Sequence, residues 1–271
     1  MTPKQETDWK KSDIMIITPR KRIFFLLLLL SYLLFSYNAF HGWWYSSLGN
    51  LLILFFSYLI WKSEFLLTTG LKLRVKTVII SIVLAAVVIV AALLIMKFIA
   101  AKRNIIILFT NWSNYFHDIF YTLNEEIILG AIILFWLTRR KKIKPLYASA
   151  GLAVFFVLVH YIAYRWIFID KGIIGIEALS TLFLIGLIRN NLIIITGHIG
   201  YSWALHFGWM AVMFGSYHVY TETNLPVSEY MKFNIYLGSA EMLIISFILA
   251  GVSLFFLIRH PGTHQHTDLS S

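Results

Sequence analysis

The chain reads as an all-α fold: a polytopic transmembrane helical bundle of about eight spans, with N- and C-termini cytosolic. Three observations predict it. The 271 residues are 59% hydrophobic and only 13% charged, where a soluble domain carries about 25% charged residues. Eight segments approach the roughly 20 apolar residues that a helix needs to cross a bilayer core. The basic residues also sort to one side of the alternating path that those segments define. So much apolar surface could not be buried in one soluble core. That excludes an ordinary soluble enzyme, a disordered chain and a simple nucleic-acid binder. The net charge of +10 needs no polyanion, because excess Lys and Arg in a membrane protein marks cytosolic loops. The chain has no cysteine, so it has no disulfide framework, thiolate nucleophile or Cys-ligated metal.

The spans follow in order. The first, at about 23–40, lies behind Arg20-Lys21-Arg22 and has no small-residue cleavage site, so it reads as a retained span and not a signal peptide. The second covers about 43–61 and the third 77–99. The stretch 104–118 (NIIILFTNWSNYFHD) is semi-apolar and aromatic, and reads as an interfacial helix or a re-entrant segment. Further spans cover about 119–138, 145–167, 173–188, 191–214 and 235–258. The second and sixth are the weakest, the second being short and the sixth containing Glu177. All five prolines fall at or outside span ends, and Pro145 falls at a first helical turn, where its missing N–H costs nothing. The chain divides into a basic cytosolic tail (1–22), three spans with the interfacial segment (23–118), a four-span core (119–214), and a last span with a polar tail (215–271).

With the N-terminus inside, 17 of the 23 basic residues lie on the cytosolic side, among them the run at 139–144 and Arg189. The other six are Lys97, Lys102, Arg103, Arg165, Lys171 and Lys232.

Ionisable side chains at membrane depth are costly and are functional candidates by default. Here they are Glu125, Glu126, His160, Glu177, His198, His206 and Glu241. Counted from the cytosolic basic residue of each span, Glu125 and Glu126 stand about 20 Å up, His160 about 24 Å, His206 about 26 Å and Glu241 about 27 Å. That puts carboxylates and imidazoles in one layer, in the outer third of the membrane. His198 falls lower unless its helix breaks at Gly197 or Gly200. His117, Asp118 and His218 fall near the outer interface and read as solvated. A carboxylate among imidazoles suits proton transfer. The plainer alternative is a set of polar plugs satisfied by hydroxyls and carbonyls of neighbouring helices.

At these residues the sequence resembles the CPBP family of glutamate-type intramembrane proteases, the type II CAAX prenyl endopeptidases and their bacterial relatives. The family pattern is Glu-Glu-x-x-x-Arg, then Phe-x-x-x-His, then His-x-x-x-Asn or Asp. The chain has Glu125-Glu126-Ile127-Ile128-Leu129-Gly130, Phe156-Val157-Leu158-Val159-His160 and His206-Phe207-Gly208-Trp209-Met210. Phe183-Leu184-Ile185-Gly186 and Thr196-Gly197 are similar to further family signatures. The resemblance covers about 119–214 and departs at two positions, where Gly130 replaces the motif arginine and Met210 the motif asparagine. A Met thioether cannot donate a hydrogen bond. Asn111, Asn114, Asn124, Ser202, Tyr161 and Tyr164 are the nearby residues able to replace the lost donor.

The resemblance implies peptide hydrolysis without a covalent intermediate. Glu125 or Glu126, with His160, would activate a water, and His206 would help stabilise the oxyanion. Adjacent helical residues point about 100° apart, so one glutamate faces the water and the other orients it or binds His160. No cofactor is required. A divalent metal stays open as an alternative, since Glu with two His is also a ligand set for zinc or iron. The partners implied are the lipid bilayer and a membrane-anchored protein or hydrophobic peptide substrate near the outer leaflet, with no nucleic acid. The implied location is a bacterial inner membrane. Two other readings compete: a catalytically weakened family member acting in immunity or assembly, and a proton- or metal-coupled transporter.

Overall fold

The computed structural model describes residues 19–36, 43–109, 113–165, 170, 172–220 and 229–259. Ten helices dominate these residues. They are α1 (Pro19–Ser36), α2 (Trp43–Trp61), the short α3 (Phe65–Thr68), α4 (Val75–Lys102), α5 (Ser113–Glu125), α6 (Pro145–Arg165), α7 (Ile176–Thr196), α8 (Gly200–Met210), the short α9 (Glu229–Lys232) and α10 (Ala240–Arg259). α5 runs on as π-helix through Glu126–Ile133 and Trp136–Arg140, and α8 through Ala211–Ser216. Six helical stretches are long and apolar enough to cross a membrane: Trp44–Thr68, Val75–Lys102, Asp118–Arg140, Pro145–Ala163, Ile176–Thr196 and Ala240–Arg259. Their outward faces are apolar. Ile79, Val83, Val87, Val90 and Leu94 of α4 and Phe247, Ile248 and Phe256 of α10 are all exposed. A water-soluble monomer does not carry such continuous apolar faces, and the helices fit a multi-pass membrane protein.

The all-helical expectation holds apart from one short pair, in which β1 (Ile106–Phe109) runs antiparallel to β2 (Tyr217–Tyr220), Ile106 opposite Tyr220. Three other expectations are corrected. The segment 104–118, expected as an interfacial helix or a re-entrant segment, holds a strand and the start of α5; its β-branched run Ile105-Ile106-Ile107 suits an extended chain. The spans drawn at 173–188 and 191–214 do not divide at Arg189. α7 passes unbroken through Arg189, Asn190 and Asn191 to Thr196, and the chain turns at Gly197. Asp118, expected in solvent, is 3% exposed. The first span was expected to reach residue 40; positions 37–40 lie outside the described residues, as do most of both tails.

Helix starts and stops follow local chemistry. α6 begins at Pro145, as its sequence expects. α7 ends because Gly197 takes φ +73°, the left-handed conformation that only glycine adopts without cost. The Thr196 hydroxyl donates back to the Leu192 carbonyl at 2.6 Å. The turn is pinned by the Ile199 N–H, which donates to the Gly70 carbonyl at 3.0 Å.

α5 with its continuation is the central rod, the most buried of the six membrane-length stretches. α2, α8 and the α1 and α7 helices pack around it, α6 and α10 flank α7, and α4 lies along α8. Gly208 allows that last approach: a Cβ there would stand 2.7 Å from Val88 Cβ and 2.9 Å from the Ala85 carbonyl. Small residues of this kind let apolar helices meet closely.

The two ends of the bundle are distinct. At one, Arg140 pairs with Glu64 at 2.7 Å, near the basic run 139–144 and the Gly197 turn. At the other, Lys102 pairs with Glu241 at 2.8 Å, Arg165 with Asp170 at 3.1 Å, and the Gly175 N–H donates to Asn234 at 2.6 Å.

Candidate functional site

The α7 hairpin explains the heart of the site. Arg189 lies seven residues before Thr196, and His206 lies six after Gly200. Helices that reverse at Gly197 therefore bring both to one height, about 10 Å from the turn. The depth expected for His206 used Arg189 as a membrane boundary; that reference is lost, because Arg189 is itself buried at 4% exposure. Opposite them, Glu125 and Glu126 fall near the midpoint of the α5 rod, where α-helix gives way to π-helix. Wide π-helical turns recur at functional sites.

The four side chains meet. Arg189 Nη1 donates to Glu125 Oε1 at 3.3 Å, and Arg189 Nε lies 3.9 Å from Glu126 Oε1. His206 Nδ1 stands 3.0 Å from Glu126 Oε1, and Ser202 donates its hydroxyl to Glu126 Oε2. A carboxylate only accepts, so Nδ1 carries the proton of that bond. His206 Nε2 then faces Glu125 Oε2 across 4.0 Å. Both glutamates are fully buried. Among the described residues, Glu125 Oε2 has no hydrogen-bond partner, nor do Arg189 Nε and Nη2.

His160 borders this cluster. Its Nδ1 donates to the Phe156 carbonyl at 2.9 Å, one helical turn back. The Phe156 ring lies edge-on to the imidazole at 4.3 Å, and the Arg189 guanidinium sits over the same ring at 4.4 Å. His160 and Arg189 thus flank one aromatic side chain, and His160 is within electrostatic reach of Glu125 and His206.

The two glutamates differ. Glu126 is engaged on both oxygens, by Ser202 and His206. Glu125 is held at one oxygen by Arg189 and leaves the other open toward His206.

The remaining sequence candidates fall elsewhere. Glu177 is exposed in the first turn of α7. Glu241 is in the ion pair with Lys102. His198 lies in the Gly197 turn, its Nδ1 accepting from the Gly200 N–H at 3.2 Å. Of the residues able to replace the donor lost at Met210, Ser202 is bonded to Glu126, and Asn124 is committed to Asn50, Ser46 and Tyr32 on α2 and α1. Asn111 and the side chains of Asn114, Tyr164, His117 and His218 lie outside the described residues. Among the described residues, no three His, Asp or Glu side chains form a metal-binding group.

Arg189 was missed as a site residue because it was counted as a loop marker. The signal was available: Arg189-Asn190-Asn191 interrupts an apolar run with no Gly or Pro between Leu187 and Thr196. The two asparagines are buried ties, Asn190 donating to the Ser149 carbonyl at 2.9 Å and Asn191 to Ser253 at 3.0 Å. Arg189 on α7 supplies the guanidinium at these carboxylates. Gly130 lies against the same carboxylate, where a Cβ would stand 3.0 Å from Glu126 Oε2 and 2.6 Å from Ile193 Cδ1.

Comparisons with known protein families, with curated proteins and with solved structures find no match.

Proposed function

We propose that the protein is an intramembrane endopeptidase of glutamate type, similar in chemistry to the CPBP family, that hydrolyses a membrane-anchored or hydrophobic peptide. The observation that carries this reading is Glu125 Oε2, unpaired among the described residues, fully buried and 4.0 Å from His206 Nε2. A gap of that length between two polar groups suits one bridging water. Glu125 takes a proton from that water as its oxygen attacks the scissile carbonyl carbon, with His160 beside it. The oxyanion that forms draws on the buried donors of Arg189 and on His206, which supply the role that Met210 cannot. The C–N bond then breaks and the proton passes from Glu125 to the leaving amine. Glu126 and Ser202 hold His206 in place. This scheme requires no metal.

The membrane setting belongs to the same proposal. α1 and the α8 rod add two passes to the six, for eight, with both termini and the Gly197 turn on the cytosolic side. The basic run 139–144 supports that orientation. The expected substrates are membrane-anchored proteins of a bacterial cell membrane.

Reconstituted protein is expected to cleave membrane-anchored peptides, and Glu125→Gln and His206→Ala to lose that cleavage while remaining folded. Equal cleavage by these variants, or none by the unmodified protein, rejects the reading. In the second case the buried charges would be a structural plug, as Met210 favours.

A further inference from the structure

A second feature lies at the end of the bundle opposite the β1–β2 pair. The last turn of α2, the α3 segment and the end of the α5 rod enclose a cavity of about 190 Å³. Its chemistry is graded. Ile132 and Phe135 form a buried apolar wall, Trp61 and Trp136 line the sides, and Arg139 and Arg140 line it with Glu64. The Arg139 guanidinium rests over the Phe135 ring at 5.1 Å, and Lys141 Nζ lies 5.1 Å over Trp136. Arg140 is bonded to Glu64 at 2.7 Å. Glu64 also attracts Arg139, but among the described residues it is bonded to Arg140 and makes no ion pair with Arg139.

We infer that this cavity binds the headgroup of an anionic phospholipid. The cations are arginines, whose planar donors suit a phosphate. They stand where apolar membrane-length helices give way to the basic run 139–144, the level at which a bilayer presents its phosphates. The volume takes a headgroup and not a whole lipid, since pockets for drug-sized molecules start at about 300 Å³. The acyl chains have apolar surface nearby: Phe55, Tyr58 and Leu59, in the two turns of α2 before Trp61, are large and exposed. A free phosphate shares the charge but would gain nothing from the aromatic and aliphatic walls. The inference rests on the bundle lying in a bilayer and is independent of the hydrolase reading.

The test uses the purified full chain in phosphatidylcholine nanodiscs doped with phosphatidylglycerol. Native mass spectrometry reads retained lipid, and thermal unfolding reads stabilisation. Phosphatidylglycerol is expected to be retained about fivefold over phosphatidylcholine, the preference of one net surface cation, and to raise the unfolding temperature. Arg139→Gln with Arg140→Gln should abolish both effects. Thr68→Trp, which fills the cavity and keeps every cation, should abolish them too. Equal retention of the two lipids, or an undiminished preference in the Thr68→Trp protein, overturns the assignment. Stabilisation by inorganic phosphate alone to the same extent makes it a free-anion site and overturns it as well.

Discussion

Arg189 Nη1 lies 3.3 Å from Glu125 Oε1, although 64 residues separate them along the chain. Both side chains are essentially buried. The contact exists because α7 stands Arg189 against the centre of the α5 rod, and the turn at Gly197 then returns α8 so that His206 meets the same carboxylates. It makes Arg189 the counter-charge of two buried carboxylates, and that has consequences for stability that can be separated from catalysis.

Removing one partner of a buried ion pair leaves the other uncompensated and costs about 3–5 kcal/mol. Arg189→Met is expected to lose stability on that scale in denaturant unfolding of the purified protein. Adding Glu125→Gln to Arg189→Met should recover part of the loss, since it removes one of the stranded charges. Additive losses in the double variant would show that the two residues are not coupled.

Gly130 makes a steric prediction. A Cβ at 130 meets Ile193 Cδ1 at 2.6 Å and Glu126 Oε2 at 3.0 Å. Gly130→Ala should cost about 1–3 kcal/mol, the range for overpacking a tight core. Ile193→Val removes the nearer atom, so the double variant should be more stable than Gly130→Ala alone. Unchanged stability in Gly130→Ala would mean that the space is larger than the structure indicates.

The absence of native cysteine makes topology directly testable by single-cysteine labelling. A membrane-impermeant maleimide added to intact cells should label Asp170→Cys. It should label Lys141→Cys and His198→Cys only after permeabilisation. Labelling of His198→Cys from outside would place the Gly197 turn on the wrong face and undo the eight-pass path.

Much of this arrangement was legible in the residues. Carboxylates and imidazoles are so scarce among the apolar runs that seven stand out on cost; common depth and the motif resemblance single out Glu125, Glu126, His160 and His206 among them, and Glu125, Glu126 and His206 form one cluster bordered by His160. Arg189 did not stand out, because hydropathy treats a basic residue between two apolar runs as a loop. Whether such a residue faces water or a buried carboxylate is decided by the partner helix, which local sequence does not reveal. The β1–β2 pair escaped for a related reason: Ile106–Phe109 and Tyr217–Tyr220 are each four residues long, and their pairing depends on two distant chain segments meeting. The different engagement of Glu125 and Glu126 also depends on tertiary partners, Ser202 and His206 on α8.

That difference yields a fourth prediction. Glu125→Gln should lower cleavage by about 10²–10⁴, the usual contribution of a general base. Glu126→Gln keeps one oxygen to accept from His206 Nδ1 and presents its amide N–H to the Ser202 hydroxyl, which can turn to accept it, so it should lower cleavage less. A larger loss in Glu126→Gln would reverse the two roles.

The measurement closest to the central claim is a comparison of new polypeptide termini in membranes of cells expressing the unmodified protein or Glu125→Gln at equal abundance. The account predicts termini within or beside hydrophobic segments that appear only with the unmodified protein. The same set of termini in both membranes would contradict it.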